Sequence, residues 1–193
     1  EYRNRIINEF DKLGYETVYK VLSAADYETP QDRKRCFFVA VRNDIMEKAG
    51  LNFMTLESEI YPDPKTPKHI SIKEAIDDCI NDPEQEKELF EYVQNGFQKK
   101  WIELLEFNPT KHRKPSDPDF IEINPKRSMF NMIRPAPHLP SPTLTQRGQQ
   151  MSVSGVFHYA KNRKLTIPEL KRLMGLPEDF KLEGKFDKQA ERI

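Results

Sequence analysis

Apolar residues recur at helical spacing from the start of the chain. Ile6, Ile7, Phe10 and Leu13 mark one stripe, and Gly14 follows where a left-handed cap would stop a helix. Residues 15–22, rich in Val, Tyr and Thr, read as a strand. A turn containing Pro30 then leads into an apolar run that predicts a second, buried strand over 35–42. Helix, strand, loop and buried strand make the end of an α/β sheet, so the remaining strands must come from elsewhere. From about 46 to 70 no period persists, and Pro62, Pro64 and Pro67 predict a linker or a loop crossing between domains.

Order resumes at Ser71. Ser71-Ile72-Lys73-Glu74 has the pattern of a capping box and opens a short helix to about residue 80. Asp82-Pro83 supplies an N-cap and a first-turn proline for a longer helix, with Phe90, Val93, Phe97, Trp101 and Leu104 or Leu105 on one stripe. That stripe reads as core packing rather than as a platform on which bases stack. Residues 108–142 are dense in Pro, Lys, Arg and Asp, which predicts loops on a small irregular domain with one strand at 120–123. Thr166-Ile167-Pro168-Glu169 opens a last helix that buries Leu170, Leu173 and Met174 and stops at Gly175.

With 193 residues the chain can bury one ordinary core or two small ones. Its hydrophobic share of 37% and charged share of 32% fit a soluble protein with long exposed segments. The formal net charge is zero, so any reading that involves nucleic acid must rest on local clusters. Lys111, His112, Arg113 and Lys114 are the densest basic cluster, read first as a solvent-facing turn and second as a phosphate contact. No apolar run approaches the length of a bilayer span, which predicts no membrane and a cytoplasmic location. Cys36, in the predicted buried strand, and Cys79, on the apolar side of a helix, suit structural roles. Neither they nor His112 have partners at metal-ligand spacing, so no metal is expected. Starting at Glu1 and ending in a charged amphipathic segment, the sequence reads as a piece of something longer.

The residues that could carry chemistry begin at Gln31, Arg33 and Arg35. At alternate positions of an extended chain they would project to one side, as a row of donors for a phosphate or a base edge. This Pro-Gln-x-Arg-x-Arg signature resembles one ordered block of the DNA (cytosine-5) methyltransferases. Arg134-Pro135, followed by Pro140-Ser141-Pro142-Thr143-Leu144-Thr145, resembles the family's ninth block, and 163–180 resembles the approach to its tenth. The three occur in the family's order. One departure is Glu28, which stands where the family commonly has Gly.

The resemblance implies an α/β fold: the C-terminal part of an S-adenosylmethionine-dependent, Rossmann-like sheet over 1–45, a small mixed α+β target-recognition domain over 46–157, and a return helix over 158–193. It implies that Arg35 holds the carbonyl oxygen of a flipped cytosine, that Arg33 orients phosphate or the catalytic carboxylate, and that Gln31 lines the same cleft. Arg134 would support the recognition loops, with Thr143 and Leu144 against the DNA. Lys126, Arg127 and Asn131 on one side of the block, and Gln146, Arg147 and Gln149 on the other, would face the major groove, where Arg reads guanine and Gln or Asn reads adenine. Phe130, Asn131 and Met132 lie near the place of a residue that fills the hole left by a flipped base.

The family's nucleophile is a Cys directly after Pro, whereas Cys36 follows Arg35 and Cys79 follows Asp78. By the same resemblance, the nucleophile, the carboxylate block and the Gly-rich S-adenosylmethionine loop belong before Glu1. The chain alone should therefore not methylate, and most of the cofactor's site lies outside it. Its implied partners are double-stranded DNA, an N-terminal catalytic portion in the same or a companion chain, and a cognate restriction endonuclease in a bacterial or phage setting. Competing readings are the DNA-recognition subunit of a split methyltransferase, a stand-alone DNA-binding module, or an RNA methyltransferase, against which the long 71–150 insertion argues.

Overall fold

The computed structural model describes residues 1–96, 99, 102, 103, 105, 111–114, 117, 132–152 and 154–193. Helix α1 (Tyr2–Lys12) ends through Gly14, whose φ of +79° is the left-handed conformation that closes a helix. Strands β1 (Tyr15–Ser23) and β3 (Lys34–Arg42) pair antiparallel from Tyr15 opposite Arg42 to Ser23 opposite Lys34. Between them lie a 3-10 turn, Ala24–Tyr27, and the two-residue strand β2 (Gln31–Asp32).

The second strand is not buried as its apolar run predicts: Cys36 is exposed and Phe37 is 47% exposed. Among the described residues its sheet has two strands, which leaves a face uncovered. For the same reason α1 buries none of its residues, although its stripe is present.

The linker expected over 46–70 is instead two short helices followed by the proline-bearing loop. Helix α2 (Asn43–Ala49) ends on Gly50 at φ +65°, and α3 (Phe53–Ile60) starts from a capping box in which Asn52 and Thr55 reciprocate. Each is too short to show a period, yet Leu56 is fully buried and packs with Val18, Met46 and Tyr61. The Tyr61 hydroxyl sits 2.9 Å from the Phe37 carbonyl and 3.1 Å from that of Val18, which fastens these helices to the hairpin.

Helix α4 (Ile72–Ile76) has the predicted capping box but stops short of residue 80, so Cys79 lies beyond it, half-buried. Helix α5 (Pro83–Asn95) is capped by Asp82, whose carboxylate accepts the Glu84 N–H. Val93 of the expected stripe is buried, whereas Phe90 is 46% exposed and Leu89 takes its place in the core. Phe97, Trp101, Leu104 and the strand expected at 120–123 lie outside the described residues. The basic cluster is not a uniformly solvated turn either. Arg113 is buried, exchanges backbone hydrogen bonds with Arg134 and holds Asp117 at 3.2 Å, and His112 Nδ1 accepts the Ala136 N–H.

Two further short parallel pairings follow: β4 (Met132–Ile133) with β6 (Gly155–Val156), and β5 (Ser141–Pro142) with β2. Helix α6 (Gln146–Gln149) is a single turn. Helix α7 (Ile167–Leu173) carries the predicted Thr166–Glu169 capping box and buries Leu170 and Leu173, with Gly175 at φ +70° beyond its end. With α4 and the last helix α8 (Phe186–Arg192) it forms a core around Leu144, Val156 and Leu165. Among the described residues no helix is long and apolar enough to cross a membrane.

Candidate functional site

The turn before β3 and the segment around Leu144 are brought together by short-range geometry. Glu28 takes φ +63°, a left-handed conformation found at no other non-glycine among the described residues, and turns the chain so that the Ala24 N–H meets the Arg33 carbonyl at 3.0 Å. The Arg33 N–H then bonds the Gln31 carbonyl at 2.9 Å. That tight turn breaks the alternation of an extended chain, so the three side chains do not form one row: Gln31 is buried, Arg33 half-buried and Arg35 exposed.

Gln31 turns inward. Its Nε2 donates to the Leu173 carbonyl at 3.2 Å and to Met174 Sδ at 3.0 Å, and its Oε1 accepts the Leu144 N–H at 3.3 Å. Arg33 Nη1 donates to the Leu144 carbonyl at 3.1 Å, so both polar groups of one peptide residue are held from the 31–33 turn. Thr143 Oγ1 donates to the Asp32 carbonyl at 2.8 Å. The side chain of Leu144 lies in the core, and Thr143 is half-buried against the turn. The pair expected against DNA thus joins the two segments. Among the described residues Arg35 donates only to the neighbouring Lys34 carbonyl, at 2.7 Å, which leaves most of its guanidinium edge open.

Arg33, Arg35, Leu144, Gln149, Met174 and Arg192 wall a cleft of about 540 Å³. Gln149 is 3% exposed, and among the described residues neither its amide nitrogen nor its amide oxygen has a hydrogen-bond partner. Of the other residues expected to read bases, Arg147 is exposed, and Gln146 is exposed with its Nε2 on Glu191 Oε1 at 3.2 Å. Lys126, Arg127, Phe130 and Asn131 lie outside the described residues, whereas Met132 is fully buried in β4.

Arg134 is 4% exposed, and its guanidinium donates to the carbonyls of Ile102, His158 and Tyr159 and to Asn162 Oδ1. Burial pulls its pKa down to about 10. Enclosed in this way it braces β4 against Ile102 and the 158–162 segment. Behind it, Arg163 grips Glu169 through two parallel bonds of 2.9 and 2.7 Å, and Glu86 joins at 2.5 Å. Burial opposes both charges, but Arg163 outweighs it for Glu169, whose pKa is held below the usual range. Burial also drops the pKa of His158 to about 4, and its Nδ1 accepts two backbone N–H groups as a neutral ring. Sequence reasoning missed this ion pair; its one signal was that Glu169 is the acidic residue of the Thr166 capping box. It missed Lys164 as well, which is fully buried although the 163–180 stretch itself was singled out.

The model of the C-5 cytosine-specific DNA methylases matches residues 1–193. Among individual proteins, the chain is 27% identical to the type II methyltransferase M1.HphI of Haemophilus parahaemolyticus over 99% of its own length and 47% of the relative's. It is 26% identical to M.MthTI of Methanothermobacter thermautotrophicus over 91% of this chain and 50% of that one. The chain therefore spans about half the length of these relatives. A DNA modification methyltransferase encoded within an E. coli prophage shares the fold with a TM-score of 0.54 at 17% identity, covering 98% of this chain and 58% of that one. The Dnmt2 methyltransferase of S. pombe does so at 0.51 and 15%, covering 98% and 55%. With a family match that runs from the first residue to the last, across the two segments joined by Gln31, Arg33 and Leu144, this chain belongs to the C-5 cytosine-specific DNA methylases.

Proposed function

We propose that this chain supplies base positioning and sequence readout to an enzyme that methylates cytosine at C5 in double-stranded DNA. The observation that carries the reading is the open guanidinium of Arg35 at the lip of a cleft whose floor is held by Gln31 and Arg33. Arg35 donates to the carbonyl oxygen of a flipped cytosine, which gains charge when a thiolate adds to C6. A guanidinium suits that position because it stays charged and offers a fixed fork of donors. Arg33 has spent one donor on Leu144 and keeps others for a phosphate or carboxylate. Gln31, Thr143, Leu144 and Arg134 act by holding this frame, and Arg147, Gln146 and Gln149 are the described candidates for reading bases.

S-adenosylmethionine, whose use the family implies, supplies the methyl group. The residues of this chain do not fit it, since the seven glycines are scattered and form no loop for a methionine or ribose. The methyl donor, the thiolate and its carboxylate therefore belong to a further portion in the same or a companion chain. The exposed Phe10, Leu13, Val21 and Phe37 around the two-stranded sheet suit such a continuation, as does the greater length of the relatives. We assign 1–45 to the catalytic sheet, 46–157 to target recognition and 158–193 to the return. Type II relatives make a cognate restriction endonuclease the natural companion activity.

The test is to incubate the protein carrying this chain, together with any companion, with duplex DNA and S-adenosylmethionine, and to map modified bases by bisulfite sequencing. The expected product is 5-methylcytosine in one sequence context. Modification of adenine, of the cytosine amino group, or of RNA alone would overturn the reading.

A further inference from the structure

The segment that follows Gln146 and Arg147 and begins with Gln149 leaves and re-enters the fold through one narrow neck. Gly148 and Gly155 meet there backbone to backbone: a Cβ on Gly155, which has φ +95°, would stand 1.9 Å from the Gly148 carbonyl oxygen, and one on Gly148 would stand 2.7 Å from Thr145 Oγ1. Two carbonyl oxygens at this neck, those of Gly148 and Ser154, take donors from a single side chain. Lys164 Nζ bonds both, at 2.5 Å each.

Lys164 is fully buried, is bridged to Phe157 in the antiparallel sense, and sets its ammonium 4.6 Å from the centre of that ring. Burial lowers its pKa to about 7, against the pull of Asp187 on α8, the charged group that acts on it. Asp187 also holds the far side of the loop, where its Oδ1 accepts the Met151 N–H at 2.6 Å. The remaining contacts of the ammonium, with α6 and the approach to β6, are to backbone carbonyls rather than carboxylates. A buried ammonium spent on two loop carbonyls is costly unless the shape it maintains matters.

Resting on the reading that this loop meets DNA, we infer that Lys164 is a positioning residue for sequence recognition: by tying the 148 and 154 carbonyls it holds the neck so that Arg147 and Gln149 are presented in one fixed geometry. Its role is selectivity rather than general attraction to DNA, because its charge never reaches the surface. A loosened neck leaves phosphate contacts in place but lets the readers wander, and each misread base pair erodes discrimination by about 5- to 150-fold.

The experiment selects bound sequences from a random duplex library with the full-length protein, and compares wild type with Lys164→Met and with Gly155→Ala. The second variant opens the same neck without touching the lysine. In both, enrichment of the wild-type motif should fall by about tenfold or more, while affinity for unselected random duplex stays within about twofold. Wild-type enrichment in either variant would overturn the inference. A parallel loss of motif and random-duplex binding would also overturn it, reducing Lys164 to a general structural role. If the wild-type protein itself enriches no motif, DNA reading by this chain falls as a whole.

Discussion

Gln31 and Leu144 are 113 residues apart in the chain, yet Gln31 Oε1 accepts the Leu144 N–H, and the other end of the same amide donates to the Leu173 carbonyl. One buried side chain thus ties three segments: the turn before β3, the approach to α6 and the end of α7. Gln31→Ala leaves the Leu144 N–H and the Leu173 carbonyl without this partner. It should lower stability by about 1–3 kcal/mol, read from urea unfolding. An unchanged midpoint would mean that the amide adds nothing to the junction.

Arg35 stands on the same turn with the opposite exposure. Arg35→Ala removes no buried contact, so stability should stay within about 0.5 kcal/mol. If the guanidinium meets charge that develops on the cytosine oxygen, turnover of the complete enzyme should fall by about 10²–10³, as for loss of one oxyanion donor, with DNA affinity nearly unchanged. Equal losses in turnover and affinity would remove Arg35 from that role and leave it a phosphate contact.

Gln149 carries a buried amide that no described residue satisfies at either end, a state that costs folding free energy unless a ligand completes it. Gln149→Met keeps the volume and discards the unpaired atoms. The variant should be more stable by about 1–3 kcal/mol and poorer at choosing its DNA sequence. Gain without loss of selectivity would show that the amide is only a packing defect.

Local order was legible wherever a signal fell within a few residues. The Ser71–Glu74 and Thr166–Glu169 capping boxes, the Asp82-Pro83 start and the Gly14 stop all describe the helices that form. What could not be read were consequences of long-range packing. The apolar run into β3 looks buried in sequence, but burial depends on neighbouring strands, and among the described residues β3 has one. Helices α2 and α3 escaped because each is too short to repeat a period and their caps use Asn52, Thr55 and Gly50 rather than Ser and Glu. At the candidate site, the residue types at 31, 33 and 35 singled out this turn, but not how its side chains divide between inside and outside. The tight hydrogen bond between the Arg33 N–H and the Gln31 carbonyl, which sends Gln31 inward and Arg35 outward, has no sequence signature. Lys164 gave no signal because nothing in composition separates a buried lysine from a solvated one.

Glu28 occupies a left-handed position that costs a residue with a Cβ about 1–2 kcal/mol. Glu28→Gly, the residue that the family commonly has there, should raise stability by roughly 0.5–1 kcal/mol once the added freedom of the unfolded chain is set against the relieved strain. Thermal unfolding of the pair decides it. A destabilised variant would mean that the Glu28 side chain makes a favourable contact that outweighs the strain.

Two buried bases give the stability of this fold a distinctive pH dependence. Burial lowers His158 from its ordinary 6.5 to about 4 and Lys164 from 10.5 to about 7, so in each window between those values the unfolded chain binds a proton that the native protein does not. Stability must then rise with pH in both windows, by up to about 1.4 kcal/mol per pH unit for each group. Conversely, the contribution of Lys164 is lost as pH falls through about 7, and that of His158 as pH falls through about 4. Cys79, pushed up to about 11 by burial, acts in the opposite sense, but only where an unfolded thiol ionises, near pH 9. Between pH 7 and 8.5 Lys164 should therefore dominate, and urea midpoints of the wild-type protein should climb across that range while those of Lys164→Met stay flatter. Parallel curves for the two proteins would mean that the two carbonyl bonds, together with Asp187, keep the ammonium charged well above pH 8 despite its burial.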